Sequence, residues 1–109
     1  RPATSSATVI EEVIRGTIGF DGLLMTDDLS MKALDGAFST RARNALRAGC
    51  DMILHCNGDM DEMKAVARGS RTLRGKAKLR AQAAMARLAR APEPFDLDEA
   101  RRRFRAATP

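Results

Sequence analysis

Tryptophan and tyrosine are absent from these 109 residues, and phenylalanine occurs only four times. A core must therefore be assembled from Leu, Ile, Val, Met and Ala. The aromatic motif by which RRM-type proteins stack nucleic-acid bases is missing as well. Cysteine occurs twice, as Cys50 and Cys56 in "CDMILHC". On an extended strand these two would lie roughly 20 Å apart at about 3.3 Å per residue, far beyond the roughly 7 Å that a disulfide can span. They read as reduced thiols, which predicts a cytoplasmic protein. Histidine occurs once, at His55. The apolar runs are only a few residues long, too short to cross a bilayer, and no signal-peptide pattern is visible. Internal repeats and low-complexity tracts are also lacking.

What is present is an ordinary hydrophobic fraction of 44% and an uneven charge. Residues 1–67 carry seven Lys/Arg and ten Asp/Glu, a net of −3, whereas residues 68–109 carry twelve and four, a net of +8. The basic character thus belongs to the C-terminal part alone.

Apolar spacing divides the chain into alternating elements. "SSATVIEEVIRGTIGF" has helical spacing, with Val9, Ile10, Val13 and Ile14 on one face and a capping box formed by Thr8 and Glu11. "GLLMT" is a short apolar run of the kind found in strands buried on both faces. "STRARNALRAG" returns to helical spacing through Ala42, Ala45 and Leu46 and stops at Gly49. "DMILHC" is a second strand, and "DMDEMKAVARG" a helix with Met60, Met63 and Val66 on one side. Strands alternating with helices imply parallel pairing, and parallel strands need cover on both faces. Two strands can neither close a barrel nor complete a sheet, so neighbouring strands are expected elsewhere. Residues 70–91 form a basic helical stretch with a thin stripe through Leu73, Ala77, Ala81, Ala84 and Leu88. "APEPF" breaks it, and a last helix starts with Asp96 as its N-cap, Glu99 three residues on and Phe95 placed to staple onto Ala100.

The chemistry is concentrated in "GFDGLLMTDDLSM", where an apolar strand runs into two adjacent carboxylates. In parallel α/β folds the reacting groups stand at the C-terminal ends of the strands. Side chains alternate along a strand, so Leu23, Met25 and Asp27 share one face while Leu24, Thr26 and Asp28 share the other. The two acids should therefore diverge, with one of them reaching a substrate. An aspartate after a strand also serves as a simple helix N-cap. The pattern suits a receiver-type phosphoacceptor pocket or a metal-dependent phosphatase too, but those need further acids or a lysine after later strands. The next strand ends in "LHCNGD", which supplies His55 and Asn57 and no carboxylate before Asp59.

The longer string "GFDGLLMTDDLSM", with "RPAT" and "IRGTIGF" before it and "ALRAGCDMILHCNG" after it, resembles the bacterial β-N-acetylhexosaminidases of glycoside hydrolase family 3, the cell-wall-recycling type. The likeness spans residues 1 to about 67. It implies the C-terminal part of a (β/α)8 barrel over residues 1–67, followed by basic C-terminal helices over residues 68–109. It also implies a retaining mechanism with Asp27 as nucleophile, acting on terminal β-linked N-acetylglucosamine in muropeptide recycling. Neither a metal nor an organic cofactor is implied. Asp28 and Ser30 are read as supporting residues, Asp28 capping the next helix or holding the loop; Met31 could line the pocket, with simple packing preferred over a substrate contact. Thr26 stands where the family usually has Ser, a change that keeps the hydroxyl.

A retaining glycosidase also needs a general acid/base. In the resembled enzymes this is a histidine, backed by an aspartate, on a loop earlier in the barrel, and no such signature occurs here. The partner expected for this chain is therefore the N-terminal barrel portion, without which it is inactive. His55, inside "MILHC", is read as a core or barrel-lining residue. A metal site from Cys50, His55 and Cys56 is disfavoured because adjacent strand positions face opposite ways and no second ligand pair follows. Asn57 could touch substrate or form a turn with Gly58, with the turn preferred. Two other readings compete: a nucleic-acid binder, drawn from the +8 region and "ARRRFR" but lacking a recognition motif, and a structural α/β module that folds only against missing partners. The second predicts apolar strand residues left exposed.

Overall fold

The structure, a computed structural model, describes residues 2–108, so residues 1 and 109, the outer ends of the two expected segments, lie outside the described residues. After a 3-10 turn at Ala3–Ser5 the chain forms a π-helix at Thr8–Thr17, then β1 (Met25–Asp28), α1 (Phe38–Ala48), β2 (Met52–Leu54), α2 (Met60–Gly69), α3 (Gly75–Ala86) and α4 (Leu97–Ala107). The expected alternation is present, and β1 and β2 pair in parallel. Met25 faces Met52 and Asp28 faces Leu54, so three steps on β1 match two on β2. Thr26 bridges that irregularity: its Oγ1 accepts the Leu54 amide at 2.9 Å, in place of a ladder carbonyl.

The first helix is wider than its spacing predicts. The Ile18 amide reaches back five residues to the Val13 carbonyl at 2.8 Å. Winding in i→i+5 steps rotates Val13 off the stripe and leaves it exposed, while Ile10 is buried and Ile14 packs beside it. The capping box expected at Thr8 and Glu11 is not made; instead Ser6 Oγ accepts the Val9 amide at 3.3 Å.

Strand β1 starts three residues later than "GLLMT" predicts, and it includes both acids. The backbone of Leu24 is already engaged: its carbonyl accepts the Asp51 and Met52 amides, and its amide donates to Asp51 Oδ2. β2 ends at Leu54, which places His55 just beyond the strand rather than within it.

The core lies on one side of the strand pair. Ile10, Ala45, Ala48 and Cys50 form a buried cluster against which Ile14 and Leu24 pack, and Leu29, Ala42 and Leu46 are also buried. α2 lies against α1 through Gly69, where a Cβ would come within 2.2 Å of the Ser39 carbonyl oxygen. That close approach uses the small side of α2 and turns Met60 and Met63 outward, against the expectation that they join Val66 on an inner face. The other side of the strand pair is uncovered. Met25 and Met52, partners across the ladder, are 50% and 37% exposed. Burial on both faces is thus not achieved within this chain, as the reading of a module lacking its partners predicts.

Beyond α2 burial is sparse. In α3, Ala77, Ala81 and Ala84 of the expected stripe are half-buried together with Arg80, whereas Leu73 and Leu88 are exposed. α4 is capped as its sequence predicts, Asp96 accepting the Asp98 and Glu99 amides at 3.0 Å, and it buries no residue.

Candidate active site

The two acids end β1 and face apart. Asp27 is exposed, on the uncovered side shared with Met25, and its Oδ1 accepts the Asp28 amide at 2.7 Å. Asp28 is half-buried and engaged on both oxygens. Its Oδ1 accepts the Ser30 amide at 3.0 Å and the Cys56 amide at 3.1 Å, and its Oδ2 accepts the Ser30 hydroxyl. The Ser30 hydroxyl, together with the Ser30 and Cys56 amides, holds the Asp28 carboxyl below its ordinary value. Asp28 therefore ties the loop after β1 to the loop after β2. It does not cap the next helix: α1 begins after Ala37 with no side-chain cap.

Leu29 is fully buried and its amide donates to the Leu54 carbonyl at 3.0 Å, which continues the pairing one residue past the acids. Ser30 is half-buried beneath Asp28, and Met31 is exposed at the start of the loop that leads to α1. Asn57 forms the turn before α2. Its Oδ1 accepts the Asp59 amide at 2.9 Å and its Nδ2 donates to Glu62 at 2.5 Å, while Asp59 caps α2.

His55 stands near this rim but is not open to it. Its side chain is only 6% exposed, Nε2 pairs with Glu62 Oε2 at 2.8 Å, and the ring meets Phe38 edge-on. Nδ1 is buried and has no hydrogen-bond partner among the described residues. The ring is packed between Phe38 of α1 and Glu62 of α2. Both cysteines are free thiols. Cys56, exposed beside the acids, has its thiol pushed up by partial desolvation and by the charges of Asp28 and Asp27. Among the described residues, no group of three or more His, Cys, Asp or Glu is placed to hold a metal ion.

Two further groups were not singled out in the sequence. Asp51, its side chain 6% exposed, accepts from Arg15 Nη2 at 2.8 Å, from the Leu24 amide at 2.9 Å and from Arg80 Nη1 at 3.2 Å. It joins the π-helix, the lead-in to β1 and α3 at the opposite end of the strands from the acids. Arg41, in the first turn of α1, reaches back to the loop after the acids. The aspartate before "MIL" was the available signal for Asp51, since an acid next to a buried strand requires a partner.

Residues 1–91 match the profile of the Glycosyl hydrolase family 3 N terminal domain. The chain belongs to this family. The family match extends through α3, beyond residue 67, where the likeness of the motifs ended. Curated relatives agree. A Beta-hexosaminidase of Tolumonas auensis is 48% identical over 59 residues, 52% of this chain and 18% of the relative. One of Alkalilimnicola ehrlichii is 50% identical over 58 residues, 51% of this chain and 17% of the relative. One of Bordetella avium is 44% identical over 59 residues, with 52% and 17% covered. The matched stretch is therefore less than a fifth of the relatives' length. Within this family 3 chain, among the described residues, no helix is long and apolar enough to cross a membrane.

Proposed function

We propose that this family 3 chain forms part of a retaining β-N-acetylhexosaminidase, with Asp27 as its nucleophile. One observation carries the reading: of two adjacent carboxylates at the C-terminal end of a parallel strand, one is fully engaged and the other is exposed on the uncovered face. Among the described residues, Asp28 is occupied by three donors, whereas Asp27 accepts only the amide of its neighbour. That single amide steadies the carboxylate and leaves an oxygen available to a substrate.

In this reading residues 1–67 are the C-terminal βα units of a (β/α)8 barrel, and residues 68–109 are its basic C-terminal helices. The uncovered face with Met25, Asp27 and Met52 lines the barrel interior. The substrate is a terminal β-linked N-acetylglucosamine, as in muropeptide recycling. The Asp27 carboxylate attacks the anomeric carbon as the glycosidic C–O bond breaks, and the leaving oxygen takes a proton from a general acid. Water then attacks the same carbon, the general base takes its proton, and the Asp27 carboxylate is released. The acid/base and the residues that grip the sugar come from the preceding barrel portion, since His55 is enclosed and paired with Glu62. The chain alone is therefore inactive. The two free thiols favour a cytoplasmic location.

The test uses the full-length hydrolase and an aryl β-N-acetylglucosaminide. Asp27→Ala should lower turnover roughly a thousandfold or more, equivalent to about 4 kcal/mol of barrier. Added azide should restore turnover and yield the α-glycosyl azide, because the small anion enters on the face the carboxylate left. Asp28→Ala should retain measurable activity and gain nothing from azide. Near-normal turnover by the Asp27 variant would refute the assignment.

A further inference from the structure

The loop between β1 and α1, residues 29–37, leaves the site directly after the acids and contains little regular structure. One side chain ties its two ends together. Arg41 Nη1 donates to the Leu29 carbonyl at 2.8 Å and to the Met31 carbonyl at 3.4 Å, and Nε donates to the Gly36 carbonyl at 2.8 Å. The guanidinium carbon stands 4.8 Å from the centre of the Phe38 ring. A planar fork with several fixed donors can bridge carbonyls from both ends of a loop, whereas an ammonium is a single point. The ring beneath it limits the ways the fork can turn. The Phe38 ring in turn meets His55, so this brace rests on the packed region between α1 and α2 rather than on solvent. At the near end Asp28 holds Ser30 as well, between the two carbonyls that Arg41 engages.

We propose that Arg41 is a positioning residue of the site. It touches no substrate; by bridging Leu29, Met31 and Gly36 it fixes the path of the loop and so the placement of Ser30 and Met31 against a sugar bound at Asp27. The proposal rests on the reading of Asp27 as nucleophile. The alternative role is that of a plain structural staple for α1, which would affect folding stability and nothing at the site.

The experiment compares Arg41→Ala and Arg41→Lys with wild type and Asp27→Ala, all in the full-length hydrolase. Two readouts are taken. The first is cleavage after Lys32, an exposed residue of the loop, by a lysine-specific protease, followed by mass spectrometry. The second is kcat and KM on the aryl glycoside. Both Arg41 variants should be cut faster after Lys32 and should lose about tenfold to a hundredfold in kcat/KM, with KM raised, as expected when a binding loop is misplaced. Arg41→Lys keeps the charge and the stem, so it tests the fork itself should the alanine variant fail to fold. Wild-type kcat/KM in Arg41→Lys, or unchanged cleavage after Lys32, would overturn the proposal. An active Asp27→Ala enzyme would instead refute the nucleophile reading, and the cleavage readout would still report whether Arg41 holds the loop.

Discussion

At the residue scale, adjacent aspartates diverge in environment because a strand places neighbouring side chains on opposite faces. That divergence was legible in "LLMTDD". What occupies Asp28 was not, because one of its donors, the Cys56 amide, lies 28 positions away. These bonds have a pH consequence. Donors that prefer the ionised carboxylate place the folded Asp28 below its ordinary value of 3.8, the Ser30 hydroxyl contributing most. The stability it contributes is then complete above that ordinary value and is lost only as pH falls through the lower, folded one. Hydrogen exchange of the Ser30 and Cys56 amides, corrected for intrinsic rates, should show constant protection from neutral pH down to about pH 4. Protection should fall only in stronger acid. Asp28→Asn should reduce protection of both amides at neutral pH and abolish the acid transition. Loss of protection near neutral pH in the unmodified protein would show that another group controls the clamp.

At the scale of elements, the order of helices and strands was readable from apolar spacing, and so were the parallel pairing and the cap at Asp96. The inward faces were less so. Val13 turned out because the first helix winds in wider steps, and Met60 and Met63 turned out because Gly69 brings α2 against Ser39. Both outcomes depend on a neighbouring backbone, which the spacing within one element does not encode. The same holds for Asp51, whose partners come from the π-helix, the lead-in to β1 and α3. Its side chain is nearly enclosed, so removing it leaves Arg15, itself 11% exposed in its side chain, without its carboxylate. Stranding one half of a buried pair is costly. Asp51→Ala in the full-length protein should lose about 3 kcal/mol or more in urea unfolding. Arg80→Ala should lose less, about 1 kcal/mol or under, because the other carboxylate it pairs with, on Asp21, is exposed to water. Equal losses would mean that Asp51 does not act as the common anchor.

At the scale of the whole molecule, the chain exposes more than its size requires. A compact domain of this mass should present about 5,900 Å² of surface with a radius of gyration near ~13 Å; this chain presents 8,389 Å² and has a radius of gyration of 18.0 Å. The excess includes the uncovered face at Met25 and Met52 and the outer residues of α3 and α4, where Leu79, Met85, Leu97 and Phe104 are all more than half exposed. Exposed apolar area of this kind contributes nothing to the heat capacity of unfolding, because it is already in contact with water. An ordinary 109-residue domain would give about 1.4 kcal/mol/K. The isolated chain should therefore unfold in a broad transition with well under that value, and it should bind a hydrophobic dye before unfolding. Mixed with the preceding portion of the barrel, it should give one sharper transition with a larger heat-capacity change and lose the dye. Hydrolysis of the aryl glycoside should appear only in the mixture, since on the proposed assignment that portion supplies the acid/base that works with Asp27. A sharp monomeric transition with the full heat capacity for the chain alone would show that the uncovered face is tolerated as solvent-exposed surface, and the barrel reading would lose its physical support.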